Sequence, residues 1–262
     1  MARSERLSSI LALVAEHGHV DVEQIVDTLA ISPATARRDL DALAEQQLLA
    51  RTRGGAVAHS VAYDLPIRYK NQQNSEAKLA IARAASELVP RGAVIGLCGG
   101  TTTTAVVEEL MSRSDIMMPA TDPGLTVVTN ALNMAMQLSM RPQIKTVVTG
   151  GVVHQRSYEL IGSYTEAVLG SITLDVAFVG VNGIDTVVGP TAHDEREAAI
   201  SALMASRATR AVVVTDSSKI DKRAFAAIGA TRIFGTLITD SGITNEQHQR
   251  LTDAGYEVII AS

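Results

Sequence analysis

The sequence lacks features that mark two common classes of protein. Its 262 residues include one cysteine, Cys98, which excludes a disulfide within the chain and a cysteine-rich zinc site. It has no uninterrupted apolar run of about 18 residues, the length expected of a membrane span, and acidic residues occur early, unlike in a signal peptide. We therefore expect a cytoplasmic protein that is neither secreted nor membrane-bound.

Positive charge is also scarce. The formal net charge is −5, and residues 1–58 hold six arginines and eight acidic residues. Overall charge therefore gives no support to nucleic-acid binding, and such a surface would depend on a local arginine cluster, doubled in a dimer. With 46% hydrophobic residues, the chain is long enough for about two domains with a buried core.

Residues 31–40 have the features of a helix start. The hydroxyl of Ser32 can cap the helix, and Pro33 suits its first position because proline has no N–H to lose. At about 100° per residue, Ala36, Leu40 and Leu43 share one apolar stripe. This predicts an amphipathic helix with that stripe facing the core.

The opposite face of this helix is polar and basic. Arg38 points away from the apolar stripe with Ala34 beside it, and Thr35 and Arg37 lie on the flanks. Taken alone, these groups are either solvated charges or, with Ser32, the contacts of a DNA-recognition helix.

The preceding residues favour the second interpretation. Apolar residues within 7–14 and within 22–29 follow helical spacing, Gly18 ends the first segment, and Asp21 with Gln24 fits a capping box at the start of the second. Two residues then separate the second segment from Ser32. This is the spacing of a helix-turn-helix whose third helix contacts DNA.

A predicted hairpin follows the third helix. Residues 48–53 and 56–58 form two short strands around Gly54-Gly55, with Arg51 and Arg53 on them. Such a wing places arginines along phosphates or in a minor groove. The alternative is a surface hairpin whose arginines aid solubility.

A second domain follows a polar linker. We place the DNA-binding domain at residues 1–58, the linker at 59–74 and the second domain at 75–262. A helix is predicted over residues 75–88. Short β-branched runs then predict strands at 93–98, 125–129, 145–149, 175–180, 211–215, 233–239 and 256–261, several followed by helices, such as 103–111, 131–138 and 195–206. Strands alternating with helices predict a Rossmann-like, mostly parallel α/β sheet covered on both faces.

Ligands bind such sheets beyond the carboxyl ends of the strands. The residues at those positions are small or polar here, and glycine loops, amides, carboxylates and lysines suit an anionic polyol such as a sugar phosphate. The candidates are Lys78, Gly99, Gly100, Thr101, Thr102, Thr103, Thr129, Asn130, Gly150, Gly151, Asn182, Gly183, Asp216 and Lys219. The glycine–threonine loop could equally be a capped turn, and Asp216 with Lys219 a loop salt bridge.

Both halves together resemble the DeoR family of bacterial transcription regulators. The matching residues are Ser32 to Leu40, Arg51 to Ala56, Gly100 to Thr103, Thr129-Asn130, Gly150-Gly151, Phe178 to Asp185 and Asp216 to Lys219. The resemblance implies a winged helix-turn-helix domain joined to a sensor domain with a ribose-5-phosphate isomerase-like fold. It also implies a phosphorylated sugar effector, with Asp185 at its site, repression of a sugar-catabolic operon, double-stranded operator DNA as partner, and a homodimer or homotetramer.

The chain departs from the family and isomerase patterns at two places. Cys98-Gly99 stands where many members have an aspartate before the loop, and Asn182 replaces the first acid of the isomerase pair, with Asp185 as the second. Neither Glu195 nor Glu197 can be assigned as a catalytic base. We therefore predict binding without turnover and no catalytic residue. The alternative function is a sugar-phosphate isomerase-like enzyme with an accessory DNA-binding domain.

Metal and cofactor sites are not predicted. His193-Asp194-Glu195 and the distant His154 lack the spacing of metal ligands. We expect these to be loop or surface groups.

Overall fold

The computed structural model describes residues 3–46, 48–57, 74–229 and 233–262. The chain divides into two compact units, residues 1–73 and 74–262. The predicted linker lies outside the described residues except for Asn74, and Ala58 of the predicted wing lies outside them as well. Within the described ranges, no helix is both long and apolar enough to span a membrane.

The first unit begins with three helices, as the sequence predicts. Helix α1 is Arg3–His17, α2 is Val22–Leu29 and α3 is Pro33–Glu45. Gly18 ends α1 with a φ of +71°, and its N–H donates to Val14 O at 2.9 Å, because glycine enters the left-handed region without strain. The helices enclose one apolar core whose residues include Ile10, Leu11, Ile25, Leu40 and Leu43.

A three-stranded antiparallel sheet completes this unit. Its strands are β1 (His19–Asp21), β2 (Ala50–Arg51) and β3 (Gly55–Val57), in the order β1-β3-β2. The sequence predicted the hairpin of β2 and β3 but not β1. Asp21 is the N-cap residue of α2, as predicted, and also the last residue of β1. The predicted capping box is wrong, because the Asp21 side chain makes no capping hydrogen bond and its carboxylate lies 3.3 Å from His19 Nε2 instead.

The second unit contains seven helices. They are α4 (Ser75–Glu87), α5 (Thr101–Ser112), α6 (Ser114–Met117), α7 (Leu132–Ser139), α8 (Ser163–Gly170), α9 (Glu195–Ser206) and α10 (Asn245–Asp253), counted over the described residues. Those predicted at 75–88, 103–111, 131–138 and 195–206 correspond to α4, α5, α7 and α9. Helices α6, α8 and α10 were not predicted.

The centre of the second unit is a seven-stranded parallel sheet. Its strands are β4 (Val94–Leu97), β5 (Leu125–Thr129), β6 (Ile144–Val148), β9 (Leu174–Gly180), β12 (Ala208–Val214), β14 (Thr236–Asp240) and β15 (Glu257–Ala261), in the order β15-β14-β12-β9-β4-β5-β6. These are the seven predicted strands. Short strands at β7 (Val152–Val153), β8 (Leu160–Ile161), β10 (Gly183–Asp185), β11 (Gly189–Ala192) and β13 (Ala226–Ala227) form two small antiparallel sheets.

Apolar side chains cover both faces of the parallel sheet. On β9, Val176 and Phe178 join one buried cluster with residues of α4 to α7. Ala177 and Val179 join another with residues of α8, α9 and α10. This alternation confirms the predicted α/β/α arrangement, because successive residues of a strand point to opposite faces.

The strand order reverses direction at β4. The chain runs from β4 through β5 to the edge strand β6, and then returns to β9 on the other side of β4. Leu97 at the end of β4 pairs with Thr129 at the end of β5 and with Phe178 of β9, so β4 and β5 end level and β9 runs two residues further, to Gly180. The crevice between β4 and β9 is therefore the topological switch point, the usual ligand site of such sheets.

Candidate functional site

The start of α3 forms as its sequence predicts. Ser32 Oγ accepts a hydrogen bond from Thr35 N at 3.2 Å and lies 2.9 Å from Thr35 Oγ1. Pro33 is the first helical residue. The cap fixes where the helix begins and therefore which side chains its exposed face carries.

The exposed face of α3 carries the predicted side chains. Arg37, Arg38 and Ala34 are exposed, whereas Ala36 and Leu40 are fully buried. The predicted polar face is thus available for contact in this unit.

A buried ion pair not predicted from the sequence holds α3 against α1. The guanidinium of Arg6 pairs with Asp39, and Arg6 Nη2 donates to Asp39 Oδ1 at 3.2 Å. The Asp39 side chain is 2% exposed. Its hydrogen bond raises the pKa of Arg6 above the ordinary value. The predicted apolar stripe gave no signal for this contact, which joins residues 33 positions apart.

The two arginines of the wing differ in their contacts. Arg51 Nε lies 2.9 Å from Asp41 Oδ1, and Arg51 Nη1 donates to Gly55 O at 2.6 Å. Both arginines are exposed. Arg51 joins the wing to α3 through Asp41, whereas Arg53 forms no ion pair within the described residues. Arg37, Arg51 and Arg53 line one cleft of about 600 Å³, together with the carboxyl-bearing residues Asp21, Glu23 and Asp27.

In the second unit, the loop after β4 leads directly into α5. Gly100 is the N-cap, with a φ of +135° and no capping side chain. The first backbone donor within the helix is Thr104 N, which bonds to Gly100 O at 3.0 Å. The N–H groups of Thr101, Thr102 and Thr103 precede this first helical bond, so the helix dipole and these donors form an anion-binding geometry at the switch point.

Two of the predicted threonines are tied to the protein itself. Thr103 Oγ1 donates to Gly100 O at 3.0 Å. Thr129 Oγ1 donates to Leu97 O at 2.8 Å and accepts from Ala131 N at 3.0 Å. Their hydroxyls hold the ends of α5 and β5 in place.

The glycines after β6 serve chain packing next to α8. Gly150 O accepts from Thr165 Oγ1 at 2.7 Å. A Cβ on Gly151 would lie 2.3 Å from Thr165 Oγ1 and 2.9 Å from Ile161 O. Because β5 separates β6 from β4, these glycines follow a strand that does not border the switch point.

The segment after β9 is held by its own hydrogen bonds. Asn182 Oδ1 accepts from His193 N at 3.1 Å. Asp185 accepts from Val187 N and Val188 N at 2.8 and 2.7 Å and pairs with Arg223. The carboxylate of Asp185 therefore closes the β10–β11 turn.

The segment after β12 ends in a short 3₁₀ helix, Ser217–Lys219. Asp216 caps it by accepting from Ser218 N at 3.1 Å, and also accepts from Asn74 Nδ2 at 2.9 Å. Lys219 is half-buried, and Lys78 on α4 is buried. Since β12 borders β9 and β9 borders β4, Asp216 and Lys219 lie on the same rim as the α5 N-terminus.

Acidic groups beside this rim were not predicted as site residues. Glu159 and Glu197 are buried, and His154 Nδ1 lies 2.6 Å from Glu197 Oε1. His154 lies in the loop between β7 and β8, as predicted, but its side chain is only 18% exposed because it packs against Glu197. Burial and then the carboxylate of Glu159 raise the pKa of the Cys98 thiol, so this cysteine is neutral at physiological pH. These contacts could not be predicted from the sequence, because the residues that form them are far apart in the chain and only their residue types are visible.

Models of known protein families match both units of the chain. A family model for the DeoR C-terminal sensor domain matches residues 73–241, and one for the DeoR-like helix-turn-helix domain matches residues 6–61. The chain belongs to the DeoR family. The DeoR-family resemblance seen in the sequence is thus confirmed, together with the helix-turn-helix unit and the parallel α/β sheet.

Relatives of this DeoR-family chain are named as transcription regulators. It is 30% identical over 253 residues to the glycerol-3-phosphate regulon repressor of Escherichia coli K12, covering 97% of both chains. It is 31% identical to the regulator GlpR of Haloferax volcanii, covering 99% of this chain and 98% of the relative. It is 30% identical to a putative aga operon transcriptional repressor of Escherichia coli O157:H7, covering 98% and 93%. This DeoR-family chain is therefore a DNA-binding transcription regulator.

Solved structures resemble the DeoR-family chain more weakly. Ribose 5-phosphate isomerase A of Methanocaldococcus jannaschii has a TM-score of 0.42 at 21% identity, over 56% of this chain and 55% of the enzyme. The full-length sorbitol operon regulator SorC of Klebsiella pneumoniae has a TM-score of 0.43 at 14% identity, over 96% and 99%. These scores are too low to carry details of either protein's site over to this chain.

Proposed function

We propose that this chain represses a sugar-catabolic operon and leaves its operator when a phosphorylated sugar metabolite binds the second unit. The observation that carries the proposal is the α5 N-terminus at the switch point between β4 and β9. In this proposal the DNA-binding domain is residues 1–58 and the sensor domain is residues 75–262, the limits expected from the sequence.

Operator DNA binds the exposed face of α3 and the wing in this proposal. Arg38 and Arg37 reach the major groove with Ala34, Thr35 and Ser32 beside them, because a recognition helix presents its N-terminal residues to base edges. Arg53 contacts phosphate. Arg51 both supports the wing through Asp41 and adds positive charge beside the DNA.

The phosphate of the effector binds the N–H groups of Thr101 to Thr103, with Gly100 allowing close approach. Gly99 leaves room for the side chain of Glu159 beside this loop. Lys78 and Lys219 are the candidates to neutralise the phosphate. Asn182, Asp216 and Asn130 are our candidates to bind the hydroxyls of the effector. Gly183 O accepts from Thr191 Oγ1 at 2.9 Å. Like Thr129, Gly150, Gly151 and Asp185, whose contacts are described above, Gly183 is held by neighbouring protein groups and has a supporting role in this proposal.

The relatives support an effector of this class. One is named for a glycerol-3-phosphate regulon and another for the aga operon. We further propose a cytoplasmic homodimer or homotetramer that binds its effector without converting it. No resident cofactor or metal is part of this proposal.

The test uses the purified full-length protein and a panel of triose, pentose and hexose phosphates. A ligand that binds the folded state alone raises the melting temperature by mass action. We expect one member of the panel to raise it, to release a fluorescent operator duplex selected from a random pool, and to remain unconverted. Turnover of that ligand would favour the isomerase-like enzyme, and absence of any shift across the panel would contradict a sugar-phosphate sensor.

A further inference from the structure

A buried carboxylate lies against the loop that we assign to the effector phosphate. Glu159 is 6% exposed. A Cβ on Gly99 would lie 2.3 Å from Glu159 Cγ and 2.5 Å from Glu159 Oε1. The carboxylate therefore packs directly on the Gly99 backbone, and glycine at this position is what makes room for it.

Main-chain hydrogen bonds position this glutamate. Leu160 N donates to Asn130 O at 2.6 Å, and Leu132 N donates to Tyr158 O at 3.0 Å. Glu159 is thereby bridged to Ala131 in an antiparallel arrangement. Its side chain is thus held over the ends of β4 and β5 rather than placed by a loose loop.

An unsatisfied amide oxygen lies beside the carboxylate. Asn130 Nδ2 donates to Glu159 Oε2 at 2.8 Å. Asn130 is fully buried, and its Oδ1 has no hydrogen-bond partner among the residues that the structure describes. A buried acceptor without a donor costs free energy, so a ligand hydroxyl or amine is the natural partner for this atom.

The separation between the α5 N-terminus and Glu159 suits a small molecule that contacts both. Gly99 is two residues before Thr101, and two trans peptides extend at most about 7 Å. When a phosphate is bound at the Thr101 to Thr103 amides, the carbon chain of the same ligand is therefore long enough to reach Glu159 and Asn130. One end of this site offers donors to an anion, and the other offers acceptors and a carboxylate.

We propose that Glu159, supported by Asn130, determines which phosphorylated ligands enter the site. It admits monophosphates whose far end carries hydroxyl or amine donors, and it excludes ligands with a second anionic group at that end. The physical reason is that two like charges in a partly buried site repel, while a carboxylate accepts hydrogen bonds from hydroxyls and amines. This inference rests on the proposed function, since it concerns the same site.

The experiment compares ligands that differ in their second anionic group. The pairs are glycerol 3-phosphate with 3-phosphoglycerate, ribose 5-phosphate with ribose 1,5-bisphosphate, and fructose 6-phosphate with fructose 1,6-bisphosphate. Calorimetry on the full-length protein is expected to show at least one monophosphate binding 10-fold or more tightly than its counterpart, roughly 1.4 kcal/mol.

Substitutions then assign that preference to one side chain. Glu159→Gln keeps the shape and removes the charge, so the ratio between the members of the pair should fall towards one while monophosphate binding persists. Glu159→Ser is a smaller second variant for the case in which Gln disturbs folding, checked by its melting curve. Glu166→Gln changes an exposed glutamate on α8 and should leave the ratio as in the wild type.

Two results separate this inference from the proposed function. If the wild type binds both members of a pair equally, or if both Glu159 variants keep the wild-type ratio, the role of Glu159 is wrong while the sensor proposal stands. If no phosphorylated ligand in the panel binds the wild type, the sensor proposal is wrong, and this inference is wrong as well.

Discussion

At the scale of single residues, the arginines of residues 1–58 divide into two groups, apart from Arg3, which is exposed on α1 outside the helix and wing that we assign to DNA. Arg6 and Arg51 are paired with Asp39 and Asp41. Arg37, Arg38 and Arg53 are exposed and form no ion pair within the described residues. The positive charge that one copy can offer to DNA therefore comes mainly from three side chains, despite the six arginines of residues 1–58.

Arg38→Ala and Arg53→Ala should have different effects on DNA binding. Loss of a base contact at Arg38 is expected to reduce discrimination between operator and unrelated DNA by about 1 to 3 kcal/mol. Loss of a phosphate contact at Arg53 should weaken binding to all sequences and make the salt slope shallower by roughly one unit. Fluorescence anisotropy at several salt concentrations measures both.

The matched control for these variants is Arg141→Ala, which removes an exposed arginine from the second unit. It should bind operator as the wild type does. Wild-type affinity in both Arg38→Ala and Arg53→Ala would show that DNA binds elsewhere.

Local residue roles could be predicted from the sequence, whereas distant contacts could not. The Ser32 cap and the exposure of Arg38 depend on neighbours within one helix, and both were predicted. The Asn130–Glu159 hydrogen bond joins residues 29 positions apart, so periodicity carries no information on it. Asp21 is the N-cap residue that the sequence predicts, but its contact with His19 could not be predicted, because β1 is too short to leave a pattern.

At the scale of helices and strands, the position of α3 depends on more than its apolar stripe. Asp39 is charged, nearly fully buried and paired with Arg6 of α1. Removing one member of a buried pair leaves the other charge without compensation.

Asp39→Ala should lower the free energy of unfolding of the first unit by about 3 kcal/mol, at the low end for buried pairs because Arg6 stays partly exposed. Hydrogen exchange of α3 amides in the full-length protein measures this locally. Asp27→Ala changes an exposed carboxylate on α2 and should leave exchange unaltered. Equal exchange in both variants would mean that the apolar stripe alone holds α3.

The N-terminus of α9 should make stability depend on pH. The side chain of Arg196, with the N–H groups of Glu197 and Arg196, lowers the pKa of Asp194 from 3.8 to about 2. The folded pKa lies below the unfolded one, so this stabilisation is complete above about pH 5 and is lost as the pH falls through 3.8 towards 2.

Comparison with Asp194→Asn isolates this effect, because asparagine can also cap a helix. The wild type should be more stable by up to about 2 kcal/mol at pH 6, and about half of this difference should be lost by pH 3. Urea unfolding at each pH measures it. A difference that does not change with pH would show that the charge of Asp194 contributes nothing.

Helices and strands could be predicted from the sequence where their apolar patterns are long and regular. The central strands of the parallel sheet are buried on both faces and gave apolar runs, and the partly exposed edge strands β6 and β15 still carry β-branched residues. Strands of two to four residues in the small sheets are too short for a period. Helix α10 buries Leu251 alone and therefore has no apolar pattern, although its capping box of Thr244 and Gln247 is a local signal of a helix start.

At the scale of the whole molecule, one copy has too few exposed arginines for tight operator binding. Three phosphate contacts would give a salt slope of about −2.7, at about −0.9 per contact. We predict that two or four copies act together on half-sites spaced by whole turns of DNA, about 10 to 10.5 base pairs. Light scattering after size-exclusion chromatography, with and without operator, checks this. A monomer on a single half-site would contradict it.

Effector response and operator binding should be separable by mutation. Lys219→Ala removes a proposed charge partner of the phosphate, and Thr102→Val removes a hydroxyl at the α5 N-terminus while keeping its shape. Both variants should bind operator as the wild type does but fail to release it, because a ligand shifts an equilibrium only through its different affinity for the two states.

Lys145→Ala, at an exposed lysine on β6, should be released normally. Unaltered effector binding in both test variants would place the site elsewhere. Lost effector binding with normal release would show that the ligand at this site does not control the operator.

The position of β4 in the sheet also affects how the chain folds while the ribosome synthesises it. Ile95 in β4 pairs with Val176 in β9, 81 residues later, whereas every strand partner in the first unit lies within residues 19–57. At a synthesis rate of 5 to 20 residues per second, the ribosome needs about 4 to 16 s to get from β4 to β9. During that time one edge of β4 has no strand partner. The DNA-binding unit can close before that, so nascent chains should need chaperone protection chiefly while residues 94–176 are being synthesised.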